Sequence, residues 1–229
     1  MAAPLKIIAS MATRQLLTEL AAQFEQTSGI RVATESVGGV DAARRVQAGE
    51  AFDGVVLAAP AIDALIAAGK LVADTRVDLV HSGVAVAVRA GALHPDIGSR
   101  DAVREAVLGA LSIGYSTGPS GVKLLELFER WGIKAQLEGR LVQAPPGVPV
   151  GALVAEGKVA LGFQQLSELM GLPGIEVLGP LPPDIQIVTT FTAAQAAASS
   201  QPAALRALLA FMASDLAADA KQRNGMDPA

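Results

Sequence analysis

The chain has no cysteine in 229 residues, which excludes a disulfide scaffold and any thiolate-based metal site. That absence fits an oxidising or a reducing compartment equally. Aromatic residues are scarce, with one Trp, one Tyr and six Phe, so Ala, Val and Leu must fill most of the core. His81 and His94 are the only histidines and have no partner at metal-ligand spacing, so no metal is expected. There is no Gly-x-Ser-x-Gly or Ser-His-Asp pattern. Gly114 and Gly118 complete neither a dinucleotide fingerprint nor a P-loop, so no cofactor is expected. A net charge of −4 without a basic run argues against nucleic-acid binding. No stretch approaches the roughly 20 unbroken apolar residues of a membrane span, which argues against membrane insertion. Met1 to Lys6 lacks the basic start and apolar stretch of a secretory signal. The expectation is a periplasmic protein if the chain is a mature form, and a cytoplasmic one otherwise.

What is present suits a compact globular protein of one large or two small domains. Apolar residues make up 51% and charged residues 17% of the chain. Leu5 to Ala9 reads as a buried strand, and Ser10 to Phe24 as a helix with Leu16, Leu17, Leu20 and Phe24 on one face. Ile30 to Ser36 alternates as a strand, and Asp41 is a candidate N-cap for the helix that follows Gly38-Gly39. Asp53 to Ala59 is a second buried strand, with Pro60 opening a helix. A further strand-helix series begins at Gly83 to Arg89 and continues through a helix from Ser99, a helix over Val122 to Trp131 and a turn and helix over Gly147 to Glu156. Val159 to Phe163 and Ile185 to Phe191 read as strands, and Leu172 to Asp184 as loop with one short strand. Helices from Pro202 to Met212 and Ser214 to Arg223 close the chain. This alternation implies α/β architecture with largely parallel sheets.

One junction stands out. Ser116-Thr117-Gly118-Pro119-Ser120-Gly121 lies between the apolar run ending at Tyr115 and a helical pattern. A strand, a hydroxyl-rich turn and a helix N-terminus direct free N–H groups and positive dipole potential at one point. The turn holds no acidic residue, so it is a candidate cradle for a small anion.

Several segments together resemble the periplasmic molybdate-binding protein family, including its aconitate-isomerase-like branch. They are Phe24 with Gly29-Ile30, the run from Ala43 to Leu57 containing Ala48-Gly49 and Asp53-Gly54-Val55, Gly118-Pro119-Ser120-Gly121, Val150 to Val154, and Lys158 to Phe163. The resemblance implies a two-lobed, type II periplasmic-binding-protein fold. Each lobe would be a mostly parallel sheet flanked by helices, joined by a hinge of two crossover strands with the ligand between the lobes. One lobe would comprise residues 1–82 with 187–229, and the other 83–186. A small anionic ligand follows, and a membrane importer as partner if the protein is exported.

Departures from the family pattern redirect the expected ligand. The family's oxyanion site uses hydroxyls in the first two loops and a late Tyr. Here Ser10 is followed by Met11-Ala12-Thr13-Arg14, the second loop carries Gly38 and Gly39, and the Tyr position falls at Gln164 or Gln165. Arg14 in a first helical turn is unfavourable by itself, and a bound carboxylate would reverse that. The candidate ligand-binding residues are Ser10, Thr13, Arg14, Gly38, Gly39, Ser116, Thr117, Ser120, Gly121, Gln164 and Gln165. They point to a di- or tricarboxylate in place of molybdate. Two purposes remain open: carriage of that anion, or a cofactor-independent allylic proton shift of the aconitate-isomerase type. For the shift, Glu35, Lys123 and His81 are candidate bases and none is singled out.

Overall fold

The computed structural model describes residues 3–229. Along the chain the strands and helices are β1 (Leu5–Ser10), α1 (Arg14–Ser28), β2 (Val32–Val37), α2 (Gly39–Gln47), β3 (Gly54–Ala58), α3 (Ala59–Ala67) and β4 (Val77–Arg89). There follow α4 (Arg100–Gly109), β5 (Ile113–Tyr115), α5 (Pro119–Arg130), β6 (Leu141–Gln143), α6 (Val150–Ala155), β7 (Leu161–Gln165), α7 (Leu166–Leu169) and β8 (Ile175–Pro180). The chain ends with β9 (Val188–Gln195), α8 (Pro202–Ala213), α9 (Ala218–Arg223) and β10 (Asp227–Pro228). It divides into two compact units, Met1–Ser82 with Thr190–Ala229, and Gly83–Thr189.

In the first unit β2, β1 and β3 run parallel, and β9 closes on β3 antiparallel. The strand β3 is buried along its whole length, as a strand covered on both faces must be. One face packs Leu16, Leu17, Leu20 and Phe24 of α1 with Leu205, Leu208 and Met212 of α8. The other packs Ile8, Val55 and Leu57 with Ala42 and Val46 of α2 and Ile62 and Leu65 of α3. Asp53 is buried where β3 begins: one carboxylate oxygen accepts the Lys6 N–H at 2.9 Å and the other the Ser199 hydroxyl at 2.8 Å. That carboxylate fixes the register of β1, β3 and the segment after β9.

The second unit repeats the plan. Here β6, β5 and β7 are parallel, and β4 joins β7 and β8 antiparallel. Phe128 of α5 meets Phe163 of β7 edge-on at 6.2 Å and Trp131 at 6.1 Å, so three of the few aromatics sit together in this core. Opposite that cluster, α6 lies very close to the sheet because adjacent strands present glycine at the same level, Gly114 beside Gly162. A Cβ on Gly114 would stand 2.8 Å from a Val150 methyl, and one on Gly162 would stand 2.5 Å from a Val154 methyl.

The expected alternation of strands and helices is present, with several local corrections, among them a fourth strand that starts at Val77 and not at Gly83. The second helix is capped by Gly38, leaving Asp41 in its first turn paired with Arg44. The fifth helix starts at Pro119, so Ser120 and Gly121 lie inside it. The late strand starts at Val188, because Gln186 folds back to accept the Val84 N–H at 2.9 Å. The three-residue β6 was not anticipated; it is too short to show periodicity.

Gly162→Ala should lower stability by about 1–3 kcal/mol, because the added methyl has to push α6 off the sheet. A fall in the urea midpoint checks this; an unchanged midpoint would mean that α6 is free to shift.

Candidate functional site

Both units place their candidate residues at the carboxyl ends of parallel strands, where ligands of open α/β sheets bind. In the first unit Ser10 ends β1 and is paired in register with Val37, the last residue of β2. Gly38 and Gly39 therefore follow directly beside Ser10, and a Cβ on Gly39 would lie 3.8 Å from the Ser10 hydroxyl. Gly39 leaves the space next to that hydroxyl open. Ser10 caps a single 3-10 turn, Met11–Thr13, accepting the Ala12 N–H at 3.4 Å. Thr13 is buried, and its hydroxyl donates to the Ser10 carbonyl at 3.0 Å, so its proton is committed to the turn.

Arg14 is the first residue of α1 and is exposed. Among the described residues its guanidinium has no ion-pair or hydrogen-bond partner, and the first turn of α1 holds no acidic side chain. The contrast with Arg45 is sharp. Arg45 forks onto Glu35 at 2.5 and 3.1 Å, reaches Glu50 at 2.5 Å and lies over the Phe52 ring. Its guanidinium holds the Glu35 and Glu50 carboxyls below the usual range. Glu35 is thus a poor proton acceptor.

In the second unit the register Ile113↔Leu161 and Gly114↔Gly162, carried forward, sets Ser116 level with Gln164 on neighbouring strands. The cap of α5 is Gly118, and no side chain caps this helix, so the Ser and Thr hydroxyls of the turn are not spent on it. Ser116 and Ser120 share one hydrogen bond, Oγ to Oγ at 3.2 Å. Two hydroxyls carry two protons, so one proton of the pair remains to give. Thr117 is half-buried, and its hydroxyl has no partner among the described residues. Gly121 is required sterically: a Cβ there would sit 1.9 Å from the Ser116 carbonyl oxygen.

Gln164 and Gln165 are both buried, and both use their amides inside the fold. The Gln165 amide donates to Thr189 Oγ1 at 2.8 Å. Gln164 accepts the Gly151 N–H at 3.3 Å and donates to Glu168 Oε1 at 2.9 Å. Burial pushes the half-buried Glu168 carboxyl up to about 7, and the Gln164 amide opposes this only in part. Glu168 escaped notice in the sequence. Its visible signal was a lone carboxylate among Leu166, Leu169 and Met170 just past a strand end. Of the other candidate bases, Lys123 is exposed and donates to the Val188 carbonyl at 3.4 Å, and His81 Nδ1 lies 3.0 Å from the Thr190 hydroxyl. No group of three His, Cys, Asp or Glu able to hold a metal occurs among the described residues. No helix there is long and apolar enough to cross a membrane.

The model of the bacterial extracellular solute-binding protein family matches residues 5–227. The chain belongs to that family. It is 37% identical over 230 residues to aconitate isomerase from a Pseudomonas species, covering 98% of this chain and 87% of that protein. The periplasmic molybdate-binding protein of Azotobacter vinelandii superposes with a TM-score of 0.81 at 19% identity, covering 97% of this chain and 98% of that one. The sulfate-binding protein SubI of Mycobacterium tuberculosis H37Rv gives 0.80 at 18% identity, covering 99% and 87%. The fold is the type II periplasmic-binding-protein fold, as the resemblance implied.

Glu168 has a checkable cost. The folded carboxyl titrates near 7 and an unfolded one near the ordinary 4.5, so between those values the folded state holds a proton that the unfolded state lacks. Stability therefore falls as pH rises through this window. Glu168→Gln should raise stability at pH 8 by about 2–3 kcal/mol and leave it unchanged below pH 4.5. Urea titrations at the two pH values check this.

Proposed function

We propose that this protein binds an unsaturated tricarboxylate and moves its double bond across the central carbon, as an aconitate isomerase does. The carrying observation is the 37% identity to aconitate isomerase over 98% of the chain, set against 18–19% to the oxyanion binders with the same fold. The residues support the same ligand class. A tetrahedral oxyanion favours a tight ring of small donors, whereas Gly39 leaves open space beside Ser10 and Arg14 offers an unpaired planar fork suited to a carboxylate. The turn from Ser116 to Gly121 supplies hydroxyl donors and the N-terminus of α5.

The reaction needs little beyond this. A C–H bond of the substrate methylene breaks and its electron pair delocalises over the allylic carbons onto a carboxylate oxygen. A proton then adds at the far allylic carbon and the double bond appears on the other side. Nothing is oxidised or reduced. The protein must hold the carboxylates, stabilise the spread charge and move one proton.

Carriage without conversion is the second reading. It is favoured by membership of a solute-binding family, and would give a periplasmic protein that delivers its anion to a membrane importer. Incubation with cis- and trans-aconitate in D2O, followed by proton NMR, separates the two. Interconversion is expected, with deuterium entering the allylic positions to the extent that the abstracted proton exchanges with solvent before its return; tight binding of either acid without interconversion supports carriage. Arg14→Ala should weaken binding of the acid about 10- to 100-fold under either reading, which calorimetry measures, since a charge-assisted bidentate pair is lost.

A further inference from the structure

We propose that Glu168 is the group that takes the proton from one allylic carbon and returns it to the other. The inference rests on the isomerisation reading and names the base that the sequence left open.

The placement comes first. Ser116 follows the last residue of β5 and Gln164 is the next-to-last residue of β7, its parallel neighbour; Glu168 Oε1 is 2.9 Å from the Gln164 amide nitrogen at that edge. The Gln164 amide is itself fixed, because its oxygen accepts the Gly151 N–H at the start of α6. Glu168 Oε1 is therefore held by an anchored partner. Among the described residues Oε2 has no hydrogen-bond partner, and the side chain is half-buried, so this oxygen is not committed within the fold. One oxygen locked and the other free is the arrangement required of a positioned general base.

The charge environment comes second. The elements packed on α7 are β7 and α6, together with an apolar cluster of Ala85 and Ala87 from β4, Leu166 and Ile175. The residues of α6 are all uncharged, and the side chains that β7 presents nearby are the Gln164 and Gln165 amides. Glu176 of β8 is exposed at the strand rim, held by Gly91 N–H and His94. No cation neutralises Glu168, and burial leaves its carboxyl near neutrality. Such a carboxyl accepts a proton from carbon better than an ordinary one and still releases it. A carboxylate that lowers stability without an ion pair also needs a use to account for its presence.

The proton balance is simple. The Glu168 carboxylate takes H⁺ from the substrate methylene and becomes a carboxylic acid while the substrate carries the delocalised pair. The acid then gives H⁺ to the other allylic carbon and is restored as carboxylate.

The test compares wild-type protein with Glu168→Gln and Glu168→Asp, using cis- and trans-aconitate as probes. Gln at 168 keeps an acceptor for the Gln164 amide, and thermal unfolding checks that the variant is folded. For wild type, kcat/KM should rise with pH about tenfold per unit below about pH 7 and level off above it. Glu168→Gln should lower kcat at least about 100-fold and abolish deuterium entry, with binding of trans-aconitate by calorimetry within about threefold of wild type. Glu168→Asp should retain part of kcat, with the pH limb displaced. A Glu168→Gln variant with kcat within threefold of wild type and the same pH limb would overturn the proposal. So would a variant whose kcat is kept while binding fails, because Glu168 would then only position Gln164. Wild-type protein inactive on both acids would instead overturn the isomerisation reading on which the proposal stands.

Discussion

The arrangement of the second unit depends on how closely α6 can approach the sheet. Gly114 and Gly162 are register partners on adjacent parallel strands, and together they form a flat patch two strands wide. Val150, Val154 and Val159 fill that patch at distances that leave no room for a methyl on either glycine. The helix is thereby pinned with its first turn over the carboxyl end of β7. The Gly151 N–H can reach the Gln164 carbonyl, which turns the Gln164 amide toward Glu168. A packing constraint in the middle of the sheet thus sets the direction of one amide at its edge. Gly121 imposes the same kind of constraint on the other side of β5, where the first turn of α5 lies against the Ser116 carbonyl and brings Ser120 within reach of Ser116.

The distribution of charge has a similar economy. Several cations away from the strand ends are matched: Arg45 with Glu35 and Glu50, Arg76 with Asp63 and Asp78, Arg100 with Asp184, Arg223 with Glu19. Exposed pairs of this kind add little stability, typically under about 1 kcal/mol each. What they do is remove carboxylates and guanidiniums from competition. At the strand ends Arg14 has no anion and Glu168 has no cation. Groups left unpaired where ligands of this sheet architecture bind are the groups that a charged substrate can engage.

The order of elements was legible because long amphipathic and buried runs carry their own period. Leu16, Leu17, Leu20 and Phe24 mark α1, and the unbroken apolar run at 54–58 marks a strand covered on both faces. Boundaries were less legible where a glycine replaced the expected cap. Asp41 has the right chemistry for a cap, but Gly38 occupies the position, and Asp41 turns to Arg44. The same holds for α5, where Gly118 caps and Pro119 leads, drawing two residues of the turn into the helix. Of the site, the hydroxyl turn and Arg14 could be read from residue type and place. Glu168 could not, because its chemistry arises from contacts. Its burial is a property of the packed fold, and its partner Gln164 is set by a helix that begins fourteen residues earlier. Sequence shows a glutamate near a strand end, and only packing shows that it is held and uncompensated.

The step from holding an anion to converting it is chemically small on this scaffold. Under the isomerisation reading the spread negative charge of an allylic intermediate sits largely on the substrate's own carboxylates, so donors that hold a carboxylate ligand would serve both states. Binding alone gives Glu168 no task, while its burial lowers stability. A carboxylate at that edge is a liability for a carrier and a requirement for a proton shift. Its free oxygen, anchored neighbour and lack of a counter-charge are the features by which this chain departs most from what simple carriage would need.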